Sequence, residues 1–340
     1  MHRTLTLVAA ALCFACIPFT PTLAAPPGKV TGGKMSTYPD WFKESFLDIT
    51  EDVGEATDDG KHVILFMEMN GCPYCFKMNE ENFKHAPYTD FIQKHFDVIA
   101  LNTKGDREVA LDEETTASEK DIADLLKVRY TPTLIFLNAG GKPVVRVNGY
   151  RNVSEFKLIL DYVQSKAYEQ QNLNDYLDAR KQAGLYSFRD HPRLAEITDL
   201  SETGGKPLAV LFEDNACVAC DELHDGHFKN PAVDAALAKM TFVRLDALSE
   251  EPMIDPAGNA TTPKAWAKQL GLTYRPGIVL FDQGKEIIRI ENLLYRYHFT
   301  SVLEYVADRH HQAYPNRVWD YVDAKTAEIL ESGKDVDISK

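Results

Sequence analysis

Cysteine is scarce in this chain, positive charge is in deficit, and apolar runs of membrane-spanning length are missing beyond the N-terminus. Each shortage excludes something. Lys and Arg number 37 against 51 Asp and Glu, a formal charge of −14, so nucleic-acid phosphates would be repelled and no polybasic patch is offered to anionic lipid. No segment after residue 25 has the roughly 20 apolar residues that a spanning helix needs. Six cysteines in 340 residues are too few for a disulfide framework. What is present is an ordinary globular composition, 44% hydrophobic and 26% charged, in a length that suits two domains of roughly 100–150 residues.

Residues 1–24 read as a cleaved export signal: His2-Arg3, an apolar stretch from Leu5 to Ile17, then Pro18 to Leu23 leading to Ala24-Ala25. A lipoprotein reading through Cys16 fits poorly, because Phe14 is bulky for that motif. Cleavage leaves a periplasmic or secreted chain with no membrane span. It also removes Cys13 and Cys16, and the mature chain keeps Cys72, Cys75, Cys217 and Cys220. Two CxxC pairs and no other cysteine, in a compartment where disulfides persist, read as two redox pairs.

The first pair has the stronger context. Val63-Ile64-Leu65-Phe66-Met67 reads as a buried strand, and Cys72-Pro73-Tyr74-Cys75 runs directly into helix-like sequence. A cysteine at a helix N-terminus meets unpaired N–H groups and the positive dipole end, which favour thiolate over thiol. Thiolate is the attacking species in disulfide exchange. A second cysteine, with two residues between, can resolve the mixed disulfide.

Taken in order, residues 25–39 are rich in Pro, Gly and Thr and are expected to be a flexible leader. A helix capped by Asp40 is expected to bury Trp41, Phe42, Phe46, Ile49 and Val53. The post-CxxC helix should run to about Glu81, followed by a helix over Tyr88 to His95 and a strand over Phe96 to Leu101. Thr103 to Thr116 forms an acidic insertion, and Ser118 begins a helix with Ile122, Leu125, Leu126 and Val128 on its apolar face. Strands Leu134 to Leu137 and Val144 to Val147 precede a helix from Val153 to Val163.

The second half repeats the first. Cys72 and Cys217, Phe83 and Phe228, Tyr150 and Tyr295, Arg151 and Arg296, and Tyr176 and Tyr321 are all 145 residues apart, and Pro132 and Pro276 are 144 apart. Constant spacing of this kind marks a duplicated domain. The expected divisions are a first domain over 40–183, a linker over 184–205, a second domain over 206–330 and a tail over 331–340.

On these motifs the chain resembles tandem thioredoxin-like proteins, an α/β class in which each domain has a central mixed sheet flanked by helices. Its first half is similar to the periplasmic SoxW-like thioredoxins of the sulfur-oxidation system. Gly71-Cys72-Pro73-Tyr74-Cys75, Met78, Phe83, Val128 to Thr133, Gly141-Lys142 and Gly149-Tyr150 carry that likeness, and the second half matches more loosely. The resemblance implies reversible exchange with protein or small-molecule thiol and disulfide partners, and redox-active disulfides with no bound cofactor. It also implies a cis proline facing each CxxC. With no spanning electron donor fused to the sequence, a separate membrane donor or acceptor is expected to recharge the protein in trans. Cys72 would attack and Cys75 resolve, with Cys217 and Cys220 as relay or second site. Pro73, Tyr74, Thr131 and Pro132 would hold substrate in the first domain, and Arg275 and Pro276 in the second.

The chain departs from the family at the buried Asp six residues before the first cysteine, where Phe66 and Leu211 stand. Glu68 and Glu213, four residues before each CxxC, are candidate proton acceptors, or else surface carboxylates at strand ends. Gly71 and Ala216 replace the usual Trp. The Pro-Tyr dipeptide resembles that of glutaredoxins and suggests an intermediate potential. Arg275 is either a cation lowering the thiolate pKa of Cys217 or a solvated loop residue. Cys217, Cys220, His224 and His227 share a helix face and could bind metal; otherwise the histidines are surface residues. A disulfide-stapled binding or chaperone module and a metal carrier remain as rival readings.

Overall fold

The computed structural model describes residues 26–180 and 184–340. The expected export signal, with Cys13 and Cys16, lies outside the described residues. The first half contains β1 (Val30–Thr31), α1 (Ile49–Asp58), β2 (His62–Glu68), α2 (Pro73–Met78), α3 (Thr89–His95), β3 (Phe96–Asn102), β4 (Glu108–Ala110), β5 (Thr116–Ser118), α4 (Glu119–Leu125), β6 (Thr133–Leu137), β7 (Pro143–Asn148), α5 (Val153–Gln164) and α6 (Leu173–Asp178). The second contains β8 (Leu208–Glu213), α7 (Val218–Asp225), α8 (Pro231–Leu237), β9 (Thr241–Asp246), β10 (Met253–Ile254), β11 (Ala260–Thr261), α9 (Pro263–Leu270), β12 (Gly277–Asp282), β13 (Lys285–Ile290), α10 (Arg296–Ala307), α11 (Val318–Glu331) and β14 (Val336–Asp337). Among the described residues no helix is long and apolar enough to cross a membrane.

Each half is built on a four-stranded mixed sheet, ordered β3-β2-β6-β7 in the first and β9-β8-β12-β13 in the second. In both, the strand leading to the CxxC runs parallel to one neighbour and antiparallel to the other. These central strands are apolar nearly throughout because helices cover both faces. Alternation then divides β2: Ile64 and Phe66 join the core that includes Cys72 and Cys75, while Val63, Leu65 and Met67 face the cluster containing Ile49 and Ile122. Burying each such side chain stabilises the fold by roughly 1.5–3 kcal/mol over leaving it exposed. The first of these cores continues from one half into the other.

Several local expectations are corrected. The first helix begins at Ile49, because Asp48 caps it through Glu51 N–H at 3.0 Å; Asp40 is no cap, and Phe46 is 99% exposed instead of buried. The helix after the first CxxC ends its α-helical part at Met78 and continues as a π-helical turn over Asn79–Lys84. That wider turn lets Met78, Asn79, Asn82 and Phe83 all point inward. Leu125 is exposed, and the acidic insertion carries the β4–β5 hairpin.

The leader is not free. Val30 and Thr31 pair with Val336 and Asp337 of the tail, and Lys29 N–H donates to Asp335 at 2.7 Å. Further on, Lys34 N–H donates to Gly71 O, and Thr37 O accepts from Asn79. The segment expected as a linker, 184–205, is also engaged: Leu194 bridges to Phe242 and Asp199 to Ile254.

Candidate functional site

Both CxxC pairs are disulfides, and each begins a helix as expected. Cys72 caps α2: its sulfur accepts from Cys75 N–H at 3.0 Å. Gly71, at φ +78, supplies the turn from strand to helix. The same sulfur lies 3.5 Å from Thr131 Oγ1 and 3.6 Å from Thr131 O. The Thr131-Pro132 and Arg275-Pro276 bonds are both cis. Two donors, the Cys75 N–H and the Thr131 hydroxyl, therefore converge on Cys72, an environment that favours a thiolate once the disulfide opens.

Glu68 and Glu213 are buried, not surface carboxylates. Each ends the strand that leads to its CxxC, and each is held by a tyrosine from the segment before its domain. Tyr38 hydrogen-bonds Glu68, and the Tyr186 hydroxyl donates to Glu213 Oε1 at 3.0 Å. Burial pushes Glu68 above the usual carboxylate range, and the Tyr38 hydrogen bond opposes that shift. Sequence reading missed both tyrosines; the only signal is an aromatic residue 30 and 27 positions before each glutamate.

The second pair differs in its neighbours. Cys217 has no side-chain capping bond and packs with Tyr186 and Cys220. It opens on a cleft of about 270 Å³ lined also by Asp214, Arg275 and, from the first half, Arg151 and Leu158. Arg275 is a buried residue and no solvated one. Its Nε lies 3.5 Å from Asp214, so Asp214 offsets the positive field that Arg275 would direct at Cys217. Burial lowers its pKa.

The expected substrate face of the first domain lies against the second domain. Tyr74 is only 6% exposed; its ring stacks on Tyr295 at 4.8 Å. Its hydroxyl accepts from Tyr295 N–H and meets His298 Nδ1, both at 2.8 Å. Tyr130 donates to Arg289 O at 2.7 Å, and the Trp319 indole N–H donates to Arg129 O. At Gly149 a Cβ would fall 2.2 Å from Asn292 Cβ, so only glycine fits this approach. Pro73 and Cys72 are buried as well.

The two histidines are not the surface pair expected. His224 is buried with Nε2 2.9 Å from Glu213 Oε1, and His227 stacks on Phe299 at 4.3 Å, where burial pushes its pKa down. The four residues of the suggested metal site thus point to different partners. Among the described residues no group of three or more His, Cys, Asp or Glu is arranged to hold a metal ion.

Comparison with known proteins gives the same duplication. The thioredoxin-like domain model matches residues 49–164 and again 195–307, so the second domain begins inside the segment expected as linker. A thioredoxin-fold protein from Helicobacter pylori is 21% identical over 41% of this chain and 92% of its own, with a TM-score of 0.32. A thioredoxin from Thermus thermophilus is 23% identical over 41% of this chain and 89% of its own, at 0.28. A mutant thioredoxin from Halobacterium salinarum is 14% identical over 44% of this chain and 97% of its own, at 0.24. No curated protein matches. With both halves matched, over more than half of its length, the chain belongs to the thioredoxin-like domain family.

Proposed function

We propose that the protein is an exported thiol–disulfide oxidoreductase that exchanges disulfides with protein or small-thiol partners through Cys72 and Cys75. Cys217 and Cys220 serve as relay or second site. The observation that carries this reading is the environment of Cys72, a helix-capping sulfur 3.0 Å from Cys75 N–H and 3.5 Å from Thr131 Oγ1, beside a cis proline. In the reductive direction the Cys72 thiolate attacks a substrate disulfide and one substrate thiolate leaves. Cys75 then attacks Cys72 and releases the other. Thr131 and Pro132 hold the substrate backbone when the second domain, which covers this face through Tyr295 and Asn292, moves aside, and Glu68 takes the Cys75 proton. A separate membrane partner in trans restores the starting redox state. Cys72→Ser is expected to abolish insulin reduction or refolding of scrambled ribonuclease, and Cys75→Ser to trap mixed disulfides. Unchanged activity in both variants would overturn the reading.

A further inference from the structure

The two CxxC faces meet the opposite domain in the same way. The beginning of α10 covers the first, where Tyr295 and His298 both contact Tyr74. The first turns of α5, with Ser154 and Leu158, border the second in the cleft that opens at Cys217. These helices are equivalent in the repeat, one beside Tyr150-Arg151 and the other beside Tyr295-Arg296. The residues before the cis prolines are exchanged likewise. Tyr130 donates to Arg289 O, and its counterpart Tyr274 lies under the Arg151 guanidinium at 4.7 Å.

One side chain separates the two interfaces. In the first, the Tyr74 ring fills the space between the helix and the CxxC and is buried. In the second, Ala219 holds that position, and a cleft of about 270 Å³ is left. An apolar cavity of about 150 Å³ already takes a benzene molecule, so the cleft has room for a phenyl or phenol ring. Its rim is apolar at Val218, 59% exposed beside the disulfide. Both guanidiniums in its walls are tied to the backbone: Arg151 donates to Asn148 O and Tyr150 O, and Arg275 donates to Leu272 O and Tyr274 O. The space they leave suits the flat face of a ring.

We propose that this cleft receives a Tyr or Phe side chain of a partner polypeptide, next to the partner's own cysteine, and that Ser154 and Leu158 of the first domain form the wall that selects it. The partner's ring takes the place in the second interface that Tyr74 holds in the first. This rests on the reading of Cys217 and Cys220 as a redox site. The first domain is then a working part of the second site, continuous with the contact that joins the domains, and the substrate of that site is a protein disulfide flanked by an aromatic residue.

The test uses the reduced full chain with Cys72→Ser and Cys75→Ser, so that only the second pair reports. Its substrates are short peptide dimers joined by one disulfide, with Tyr, Phe, Ala or Asp before the cysteine. In each reaction the peptide S–S bond breaks and the Cys217–Cys220 bond forms. Two electrons pass to the peptides, and the two thiol protons end on the two peptide thiols. Each rate is divided by that for bis(2-hydroxyethyl) disulfide, which carries no ring. The Tyr and Phe dimers are expected to react about 10-fold faster than the Ala dimer, as for a filled apolar pocket. Ala219→Tyr, which closes the cleft as the first domain does, should erase that preference, and Leu158→Ala should cut it by about 3-fold. Equal rates for all dimers, a preference for the Asp dimer, or an aromatic preference that survives in both variants overturns the proposal. A parent that reduces neither the dimers nor the hydroxyethyl disulfide removes the redox reading of the second pair together with it.

Discussion

Cys72 and Cys217 begin equivalent helices in duplicated sheets, yet their surroundings have exchanged roles. The Cys72 sulfur is met by Cys75 N–H and Thr131, and the face around it is closed by Tyr295, His298 and Asn292 of the other domain. Cys217 lacks such polar contacts at its helix cap but borders a cleft and has the Glu213–His224 pair behind it. The scaffold positions a disulfide in both copies. What differs most around the two is the dipeptide between the cysteines and the segment that precedes each domain.

The largest expected effect comes from Tyr74, whose counterpart in the second CxxC is Ala219. Tyr74→Ala would remove a buried ring and both hydrogen bonds across the domains, costing about 3–5 kcal/mol in denaturant unfolding. It should also raise the rate at which a protein-sized reductant opens Cys72–Cys75, on the order of 10-fold if access improves by the equivalent of about 1.4 kcal/mol, and leave the rate at Cys217–Cys220 nearly unchanged. Tyr74→Phe keeps the stack and leaves Tyr295 N–H unpaired, for about 1–3 kcal/mol. Equal acceleration of both disulfides would show that the contrast in access is not set by this contact.

A second difference is one of pH. Burial pushes His298, the partner of the Tyr74 hydroxyl, down to about 4. In the unfolded chain an imidazole takes its proton near 6.5, so between those values the unfolded state binds more protons than the folded one. Stability from this group is therefore complete above about pH 6.5 and is lost as pH falls toward the folded value, by about 3 kcal/mol at most. Unfolding free energies measured across that window should fall more steeply in the parent than in His298→Asn. The same slope in both would assign the loss to other groups.

The architecture was legible because its signals are local. The Val63–Met67 run, the Ser118 cap and the constant 145-residue spacing each fix a strand, a helix start or a repeat without knowledge of the partner. The docking of the domains was not legible, since Tyr74 was expected to hold substrate and local spacing does not say that Tyr295 and His298 of the other half would cover it. The first helix was misplaced for a similar reason. Phe42 and Phe46 fit helical spacing, but the Ser45 hydroxyl takes Leu47 N–H at 2.7 Å and donates to Asp52, which holds a loop and turns Phe46 outward. Glu68 and Glu213 were found by position, while their burial depends on Tyr38 and Tyr186, which reach them from segments that looked like leader and linker.

Those two tyrosines allow the finest test of the comparison. Tyr38→Phe removes the hydrogen bond that opposes the upward shift of Glu68, so its carboxyl should rise further and the first pair should need a higher pH for the same resolving rate. The change should be a few-fold at neutral pH, with a stability loss of about 1 kcal/mol. Glu213 keeps His224 when Tyr186 is changed to Phe, whereas Glu68 has Asn79 turned away to Thr37. The first domain should therefore depend on its tyrosine more than the second does, and the ratio of the two losses measures how far His224 holds its carboxylate when the tyrosine hydroxyl is gone.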